Sequence, residues 1–227
     1  AFIFTALFLS FTHTASAGTW IQVKNDQVAG FEDNEVLEKT LLSGSLIASC
    51  EDVDGDNDID IIVGQENGKI TYFTNNGGGS FTLDTSTFSD IDTTKYSSPA
   101  IGDINSDGLA DLVVGKNDGT IEAYINQGDG SFELDEDIVS VGSDAGAKAH
   151  PIIFDLDEDG ENDILYGGST GNLIYLKNQG DGSFAKRTLT TETFDSNFYL
   201  AAGDADNDGD IDILVCLLYT SDAADES

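Results

Sequence analysis

An aspartate-rich loop occurs four times along the chain, and this repeat constrains the fold more than any other feature of the sequence. The loops share the pattern D-x-[DN]-x-D-[GN]-x-x-D and recur about every fifty residues. They span residues 52–60, 103–111, 155–163 and 204–212. A period of this length predicts that one small structural unit is repeated around each loop.

The segments that flank the loops repeat as well, and they have the composition of short β-strands. Each loop leads into an apolar strand, a Gly-containing turn and a second strand rich in β-branched and aromatic residues. An Asn- and Gly-rich turn and a third strand follow, and a fourth strand precedes the next loop, as at Ser98–Ile101 and His150–Phe154. Four strands per unit predict an all-β fold of four-stranded β-propeller blades, incomplete here at about 3.5–4 blades.

The combination of these motifs resembles the FG-GAP/VCBS repeat family, which is related to the calcium-binding blades of the integrin alpha-chain head. The shared features are the aspartate loop, the D-[IL]-x-x-G strand after it and the N-x-G-x-G-S-F turn. Asn57 departs from the Gly that the family prefers, and the turn at Asn75–Gly79 lacks the Asp of the other two turns. The resemblance covers residues 20 to 215 and implies a propeller that binds calcium.

The loop residues also suit calcium on chemical grounds. Positions 1, 3 and 5 place side-chain oxygens around one centre, position 6 turns the backbone, position 7 offers its carbonyl and position 9 closes the site. The loops contain no His or Cys, which disfavours zinc, copper and iron–sulfur sites, and magnesium requires a stricter octahedral geometry. The predicted ligands are Asp52, Asp54, Asp56, Asp58, Asp60, Asp103, Asn105, Asp107, Leu109, Asp111, Asp155, Asp157, Asp159, Glu161, Asp163, Asp204, Asp206, Asp208, Asp210 and Asp212.

Electrostatic repulsion within each loop favours a bound cation. Two carboxylates about 4 Å apart repel by about 4 kcal/mol at an effective dielectric constant near 20, so we expect up to four calcium ions as cofactors. Asn105 lacks a charge, and the second loop is therefore predicted to be the weakest site. Solvated acidic turns without an ion remain the alternative. An EF-hand is disfavoured because position 12 of each loop falls in an apolar strand instead of being Glu before a helix.

The first residues are expected to be a targeting segment. The apolar run Phe2–Phe11 and the small residues Ala15–Ala17 predict a signal peptide over residues 1–17, with its basic n-region missing. Residues 18–215 are expected to form the repeats. These comprise a partial blade over 18–47 and units starting near residues 48, 99, 151 and 200.

The last residues are expected to be foreign to the protein. The repeat pattern fails at Cys216, where Gly is expected, and the back-translated codons from this residue resemble a sequencing adapter. Residues 216–227 are therefore predicted to be a non-native tail. Cys50 would then be the one native cysteine, and it is expected to pack as a small apolar side chain.

Charge and residue types limit the functions that the chain can have. It contains 43 acidic and 9 basic residues, and its net charge of −34 disfavours binding to nucleic acid or to anionic membranes. There is no nucleophile elbow, P-loop or zinc pair, so no enzyme activity is expected. The apolar run Phe2–Phe11 is too short for a membrane span, and none is expected. We expect a secreted or cell-surface module that binds calcium. The family resemblance further implies adhesion through an extracellular protein or glycan, with an accessory domain of a larger secreted polysaccharide-degrading enzyme as the alternative.

Overall fold

A computed structural model describes residues 46–78, 80–139, 145–189, 198–206 and 208–217. Nearly all of its regular structure is β-strand. The strands are β1 Ile47–Glu51, β2 Asp60–Gly64, β3 Ile70–Asn75, β4 Phe81–Asp84, β5 Ser97–Gly102, β6 Asp111–Lys116, β7 Ile121–Asn126, β8 Phe132–Asp135, β9 His150–Phe154, β10 Asp163–Gly167, β11 Leu173–Asn178, β12 Phe184–Thr188, β13 Phe198–Gly203 and β14 Asp212–Leu217. One short helix, α1 Glu136–Val139, follows β8.

The strands form antiparallel sheets in the order of the chain. Three sheets have four strands each, β1–β4, β5–β8 and β9–β12, and a fourth consists of β13 and β14. The predicted all-β chain of incomplete four-stranded blades is confirmed, and the sheets in the described residues do not close into a barrel. We refer to these four sheets as blades 1 to 4.

Each aspartate loop connects the first strand of a blade to the second. Position 9 of the loop is also the first residue of the second strand, so Asp60 pairs with Glu51 at the end of β1. Asp111 pairs with Gly102 in the same way in blade 2. The sheet therefore fixes position 9, whereas positions 1 to 8 form the connection.

The first strands of successive blades lie side by side, with β5 between β1 and β9, and with β13 beyond β9. Residues of all four strands, including Ala48, Pro99, Pro151 and Leu200, line a cavity of about 310 Å³. The first strands therefore adjoin one another along one side of the blades.

Close contact between blades explains the glycine that ends the second strand. A Cβ atom on Gly64 would lie 2.2 Å from the carbonyl oxygen of Ser97, at the start of the next blade. A Cβ atom on Gly115 would lie 2.1 Å from the carbonyl oxygen of Ala149. Only glycine permits this approach of the two backbones, which accounts for the last residue of the D-[IL]-x-x-G pattern.

The hydrophobic core lies between the blades, because alternate side chains of a strand face opposite sides of its sheet. Val113 of blade 2 and Ile164 of blade 3 are fully buried in one shared cluster. Between blades 1 and 2, the ring of Phe88 lies 5.3 Å from Tyr72 and 4.9 Å from Phe132. Phe88 comes from the segment between β4 and β5, so this variable connection contributes to the core. Full burial of such a side chain stabilises the fold by about 1.5–3 kcal/mol.

Both cysteines of the chain lie on β-strands, Cys50 on β1 and Cys216 on β14. The prediction that Cys50 packs as a small apolar side chain is wrong, because Cys50 lies exposed on β1. Strand β14 continues through Cys216 to Leu217, and Cys216 pairs with Tyr199 of β13. The predicted signal peptide, residues 18–45 of the partial blade and residues 218–227 of the predicted tail lie outside the described residues. No helix in the described ranges is long and apolar enough to cross a membrane.

Candidate metal centre

The aspartate at position 9 anchors each loop to its sheet. Asp60, Asp111 and Asp163 are fully buried. Each accepts a hydrogen bond from the backbone N–H of position 2 of its own loop. A second hydrogen bond comes from the backbone N–H of the Asn that ends the third strand of its blade. The donor–acceptor distances are 3.1 Å from Val53 and 2.7 Å from Asn75, 3.0 Å from Ile104 and 2.8 Å from Asn126, and 3.1 Å from Leu156 and 2.8 Å from Asn178.

A tyrosine supports this carboxylate in two of the blades. The hydroxyl of Tyr72 donates to Asp60 at 2.7 Å, and that of Tyr175 donates to Asp163 at 2.9 Å. Ala123 stands at the corresponding position of blade 2. Burial raises the pKa of Asp111 to about 6, although backbone hydrogen bonds oppose the shift. The position-9 carboxylate of the second loop therefore has weaker support for its charge.

The aspartate at position 1 accepts hydrogen bonds from the backbone of its own loop. The two carboxylate oxygens of Asp52 accept hydrogen bonds from the backbone N–H groups of Gly55 and Asn57, both at 2.8 Å. Asp103, Asp155 and Asp204 accept paired backbone hydrogen bonds in the same manner. A carboxylate oxygen has two lone pairs, so these bonds leave acceptor capacity for a cation.

Positions 3 and 5 each accept a backbone hydrogen bond with one oxygen. Asp54 accepts from the N–H of Asp56 at 3.2 Å, and Asp56 accepts from the N–H of Asp58 at 2.8 Å. In the second loop the same bonds run from Asp107 to Asn105 and from Leu109 to Asp107. These local bonds fold the loop tightly and leave the second oxygen of each carboxylate uncommitted to the backbone.

Two positions of the loop have left-handed backbone, and only one of them was predicted. Position 6 has φ of 72° at Asn57, 85° at Gly108, 93° at Gly160 and 101° at Gly209, as expected from the Asn and Gly residues there. Position 4 is also left-handed, with φ of 63° at Ser106 and 59° at Glu158. The pattern carries no constant Gly at position 4, so no local signal predicts this second turn. A non-glycine residue in this conformation costs about 1–2 kcal/mol.

The loops bring carboxylate oxygens together in three groups. The groups are Asp52, Asp54 and Asp60; Asp155, Asp157 and Asp163; and Asp204, Asp206 and Asp212, and within each group the ligand atoms lie within 4.8 Å of one another. These residues are positions 1, 3 and 9 of the first, third and fourth loops. The second loop has Asp103, Asn105 and Asp111 at the same positions, where an amide oxygen replaces one carboxylate.

Three oxygen donors at this spacing fit a calcium ion, which takes oxygen ligands at about 2.3–2.6 Å and tolerates irregular geometry. The carboxylates at position 5, which are Asp56, Asp107, Asp159 and Asp208, lie outside these groups and accept a hydrogen bond from the backbone of position 7. The structure thus brings together positions 1, 3 and 9, while positions 5 and 7 stay predicted ligands.

The side chain at position 7 lies over the Asn- and Gly-rich turn of the same blade. A Cβ atom on Gly77 would lie 3.0 Å from the carboxylate of Asp58, and one on Gly128 would lie 3.2 Å from the side chain of Leu109. Both glycines have left-handed backbone, with φ of 79° and 73°. The side chain at position 7 can vary in chemistry because it packs on the turn, which agrees with a ligand role for the backbone carbonyl alone.

The sequence profile of an FG-GAP-like repeat matches residues 52–114, 103–166 and 155–215. Each matched span begins at position 1 of one aspartate loop and extends through the next loop into the strand that follows it. The chain belongs to the FG-GAP-like repeat family. A comparison with curated proteins found no match.

The FG-GAP-like loops are linked to one another by the asparagine that ends the third strand, which the sequence pattern identifies only as part of a turn. The Nδ2 group of Asn126 donates to the carbonyl oxygens of Ala110 in its own loop, at 3.1 Å, and of Val53 in the preceding loop, at 3.3 Å. Asn178 repeats this arrangement with Asn162 and Ile104. Because the bond depends on which loops become neighbours in space, no local sequence signal reveals it.

The second and third FG-GAP-like loops also touch directly. The Nδ2 group of Asn162 donates to the carbonyl oxygen of Asp103 at 2.8 Å. The hydroxyl of Ser106 donates to the carboxylate of Glu161. The first three loops are therefore linked by hydrogen bonds from one blade to the next.

Proposed function

We propose that this FG-GAP-like chain is a non-catalytic module that binds up to four calcium ions, one in each aspartate loop. The convergence of carboxylate oxygens from positions 1, 3 and 9 within 4.8 Å in the first, third and fourth loops carries this proposal. Like charges held this closely repel one another, and a divalent cation removes the repulsion. In this proposal the protein supplies the oxygen donors, and calcium supplies the positive charge that holds the loop closed.

The hydrogen bonds of the loop support a binding role for the side chains. Asp60 and Asp163 are held in place by backbone and tyrosine donors, so the position-9 oxygens are oriented before an ion arrives. Asp54 and Asp157 are exposed and can adjust to the ion. A site with fixed oxygens at positions 1 and 9 and an adjustable oxygen at position 3 suits calcium better than magnesium, which requires near-ideal octahedral geometry.

The same proposal includes an extracellular location and an extracellular protein or glycan as the partner in adhesion. Its support is the apolar N-terminal run with its small-residue site, together with the net charge of −34. Weak calcium sites fill outside the cell, where the ion is abundant. We propose no enzymatic activity for the module.

Calcium binding is tested by titration calorimetry and thermal unfolding of the full chain in EDTA, calcium and magnesium. We expect calcium to raise the melting temperature, since a ligand at 100 times its Kd stabilises the folded state by about 2.7 kcal/mol per site.

Asp54→Asn keeps an oxygen for the N–H of Asp56 and removes one charge, and should weaken binding at one site. Asp90→Asn makes the same charge change at an exposed residue outside the loops and should leave binding unchanged. Equal melting temperatures in EDTA and calcium, without heat of binding, would refute the proposal.

A further inference from the structure

A positively charged side chain lies next to the third loop. Lys177 lies on β11, directly before Asn178, and its ammonium group contacts the carboxylates of Asp157 and Asp159, with a distance of 2.7 Å to Oδ2 of Asp159. The Lys177 side chain is 22% exposed, and its ammonium meets the two carboxylates at the surface of the loop. These two aspartates are positions 3 and 5 of the loop.

The ammonium binds the oxygen that the loop backbone leaves available. Oδ1 of Asp159 accepts a hydrogen bond from the N–H of Glu161 at 3.1 Å, whereas Oδ2 of Asp159 accepts from Lys177. Asp157, the other partner of Lys177, belongs to the group of converging carboxylates with Asp155 and Asp163. Lys177 and a metal ion would therefore compete for the same carboxylate.

The corresponding residues of the other complete blades are uncharged. Thr74 precedes Asn75 in blade 1, and its hydroxyl donates to the carbonyl oxygen of Thr82. Ile125 precedes Asn126 in blade 2 and packs against the core shared with blade 3. The lysine is thus a feature of the third repeat and is not required by the strand that carries it.

We propose that Lys177 is a built-in counterion of the third loop, which calcium must displace from Asp157 and Asp159 when it binds. This inference rests on the calcium function proposed above. Lys177 cancels one of the four negative charges at positions 1, 3, 5 and 9 of the third loop, which leaves these positions with the same charge as in the second loop with its Asn105. The third loop then keeps its shape without metal and binds calcium more weakly than its own carboxylates indicate.

Calorimetric calcium titration of the full chain and reciprocal variants tests the inference. Lys177→Thr introduces the residue of blade 1, and we expect the affinity of one site to rise at least about tenfold once the competing charge is removed. Thr74→Lys should lower the affinity of a different site. Lys69→Thr removes a lysine that lies 3.9 Å from Asp92, outside the loops, and should change neither. Backbone amide NMR signals of residues 155–163 should identify the third loop as the site altered by Lys177→Thr.

A second readout needs no calcium. In EDTA, Lys177→Thr should melt at a lower temperature than the unmodified chain, because the third loop loses its counterion, whereas Lys69→Thr should have little effect. If the unmodified chain binds calcium and Lys177→Thr leaves every affinity unchanged, the inference on Lys177 is wrong and the proposed function stands. If neither chain binds calcium at millimolar concentration, the proposed function fails, and the competition inferred for Lys177 fails with it.

Discussion

The side-chain amide of Asn178 donates a hydrogen bond of 2.9 Å to the backbone carbonyl oxygen of Ile104, which lies 74 residues earlier in the chain. Asn178 ends β11 in blade 3, whereas Ile104 is position 2 of the second loop. Asn126 makes the corresponding bond to Val53 of the first loop. Each of these loops is therefore held by its own sheet through position 9 and by the following blade through an asparagine.

Removing the amide of Asn178 should destabilise the protein strongly. Asn178→Ala eliminates the bonds to Ile104, Asn162 and Gly180 at a residue that is 1% exposed, and we expect a loss of about 2–4 kcal/mol in the free energy of unfolding. Urea unfolding followed by circular dichroism measures the loss.

Asn75→Ala is the matched control for the bond between blades. Asn75 bonds Ile59 and Gly77 within blade 1 and is only partly buried, so its loss should cost about 1 kcal/mol. Equal losses in the two variants would show that the contact between blades contributes nothing to stability.

The tyrosine hydroxyls on the position-9 carboxylates should stabilise the fold. Tyr175→Phe removes a hydrogen bond to the fully buried Asp163, and a bond to a charged group contributes about 1.5–3 kcal/mol. Tyr124→Phe removes a bond to the partly buried Glu122, outside the loops, and should cost less than about 1 kcal/mol. Urea unfolding in EDTA compares the two, and a larger loss for Tyr124→Phe would contradict a special role of the tyrosine that donates to the position-9 aspartate.

The second loop should gain affinity when its missing charge is supplied. Asn105→Asp gives this loop the carboxylate that the others have at position 3, and we expect one calcium site to tighten about tenfold. The same change replaces the bond from Asn105 to Asp107 by repulsion, so stability in EDTA should fall by about 1–2 kcal/mol. Calorimetry and thermal unfolding measure the two effects. Asn67→Asp, in a turn outside the loops, should produce neither effect, and unchanged calcium affinity in Asn105→Asp would contradict the ranking by charge.

Acid should destabilise the protein in part through His150. Burial, and then the charge of Lys148, lower the pKa of His150 to about 4. The Nε2 atom lies 2.7 Å from the hydroxyl of Tyr96, and the hydroxyl of Ser98 lies 3.4 Å from Nδ1. The centre of the Tyr199 ring lies 4.3 Å from the centre of the imidazole ring. The folded protein therefore holds this histidine neutral in a pocket that offers no counterion among the described residues.

The direction of the pH effect follows from the lowered pKa. The unfolded chain binds the proton below about pH 6.5 while the folded chain resists it, so stability is complete above that pH and declines as the pH falls toward 4. Between pH 8 and pH 5 this group should cost about 2 kcal/mol. His150→Gln, compared with the unmodified chain by urea unfolding in EDTA, should lose less stability over this interval. Parallel losses in the two proteins would show that His150 does not titrate as stated.

The sequence by itself determined the repeating unit of this protein. Short polar turns at fixed intervals between β-branched and aromatic segments permit only short strands, and the D-x-[DN]-x-D pattern places oxygens on one small loop. Local patterns of this kind act within a few residues, so they can be read without knowing the fold. The four strands of each complete blade and the left-handed turn at position 6 were predictable for that reason.

Only the tertiary structure decided how the repeats hold one another. Asn126 and Asn178 look like ordinary turn residues, and their bonds to the preceding loops exist only because adjacent blades place distant residues together. Lys177 is one charged residue on a strand in the sequence, and its effect on the third loop depends on the path of its side chain across the blade. Contacts between residues far apart in the chain are set by packing, which no local pattern encodes.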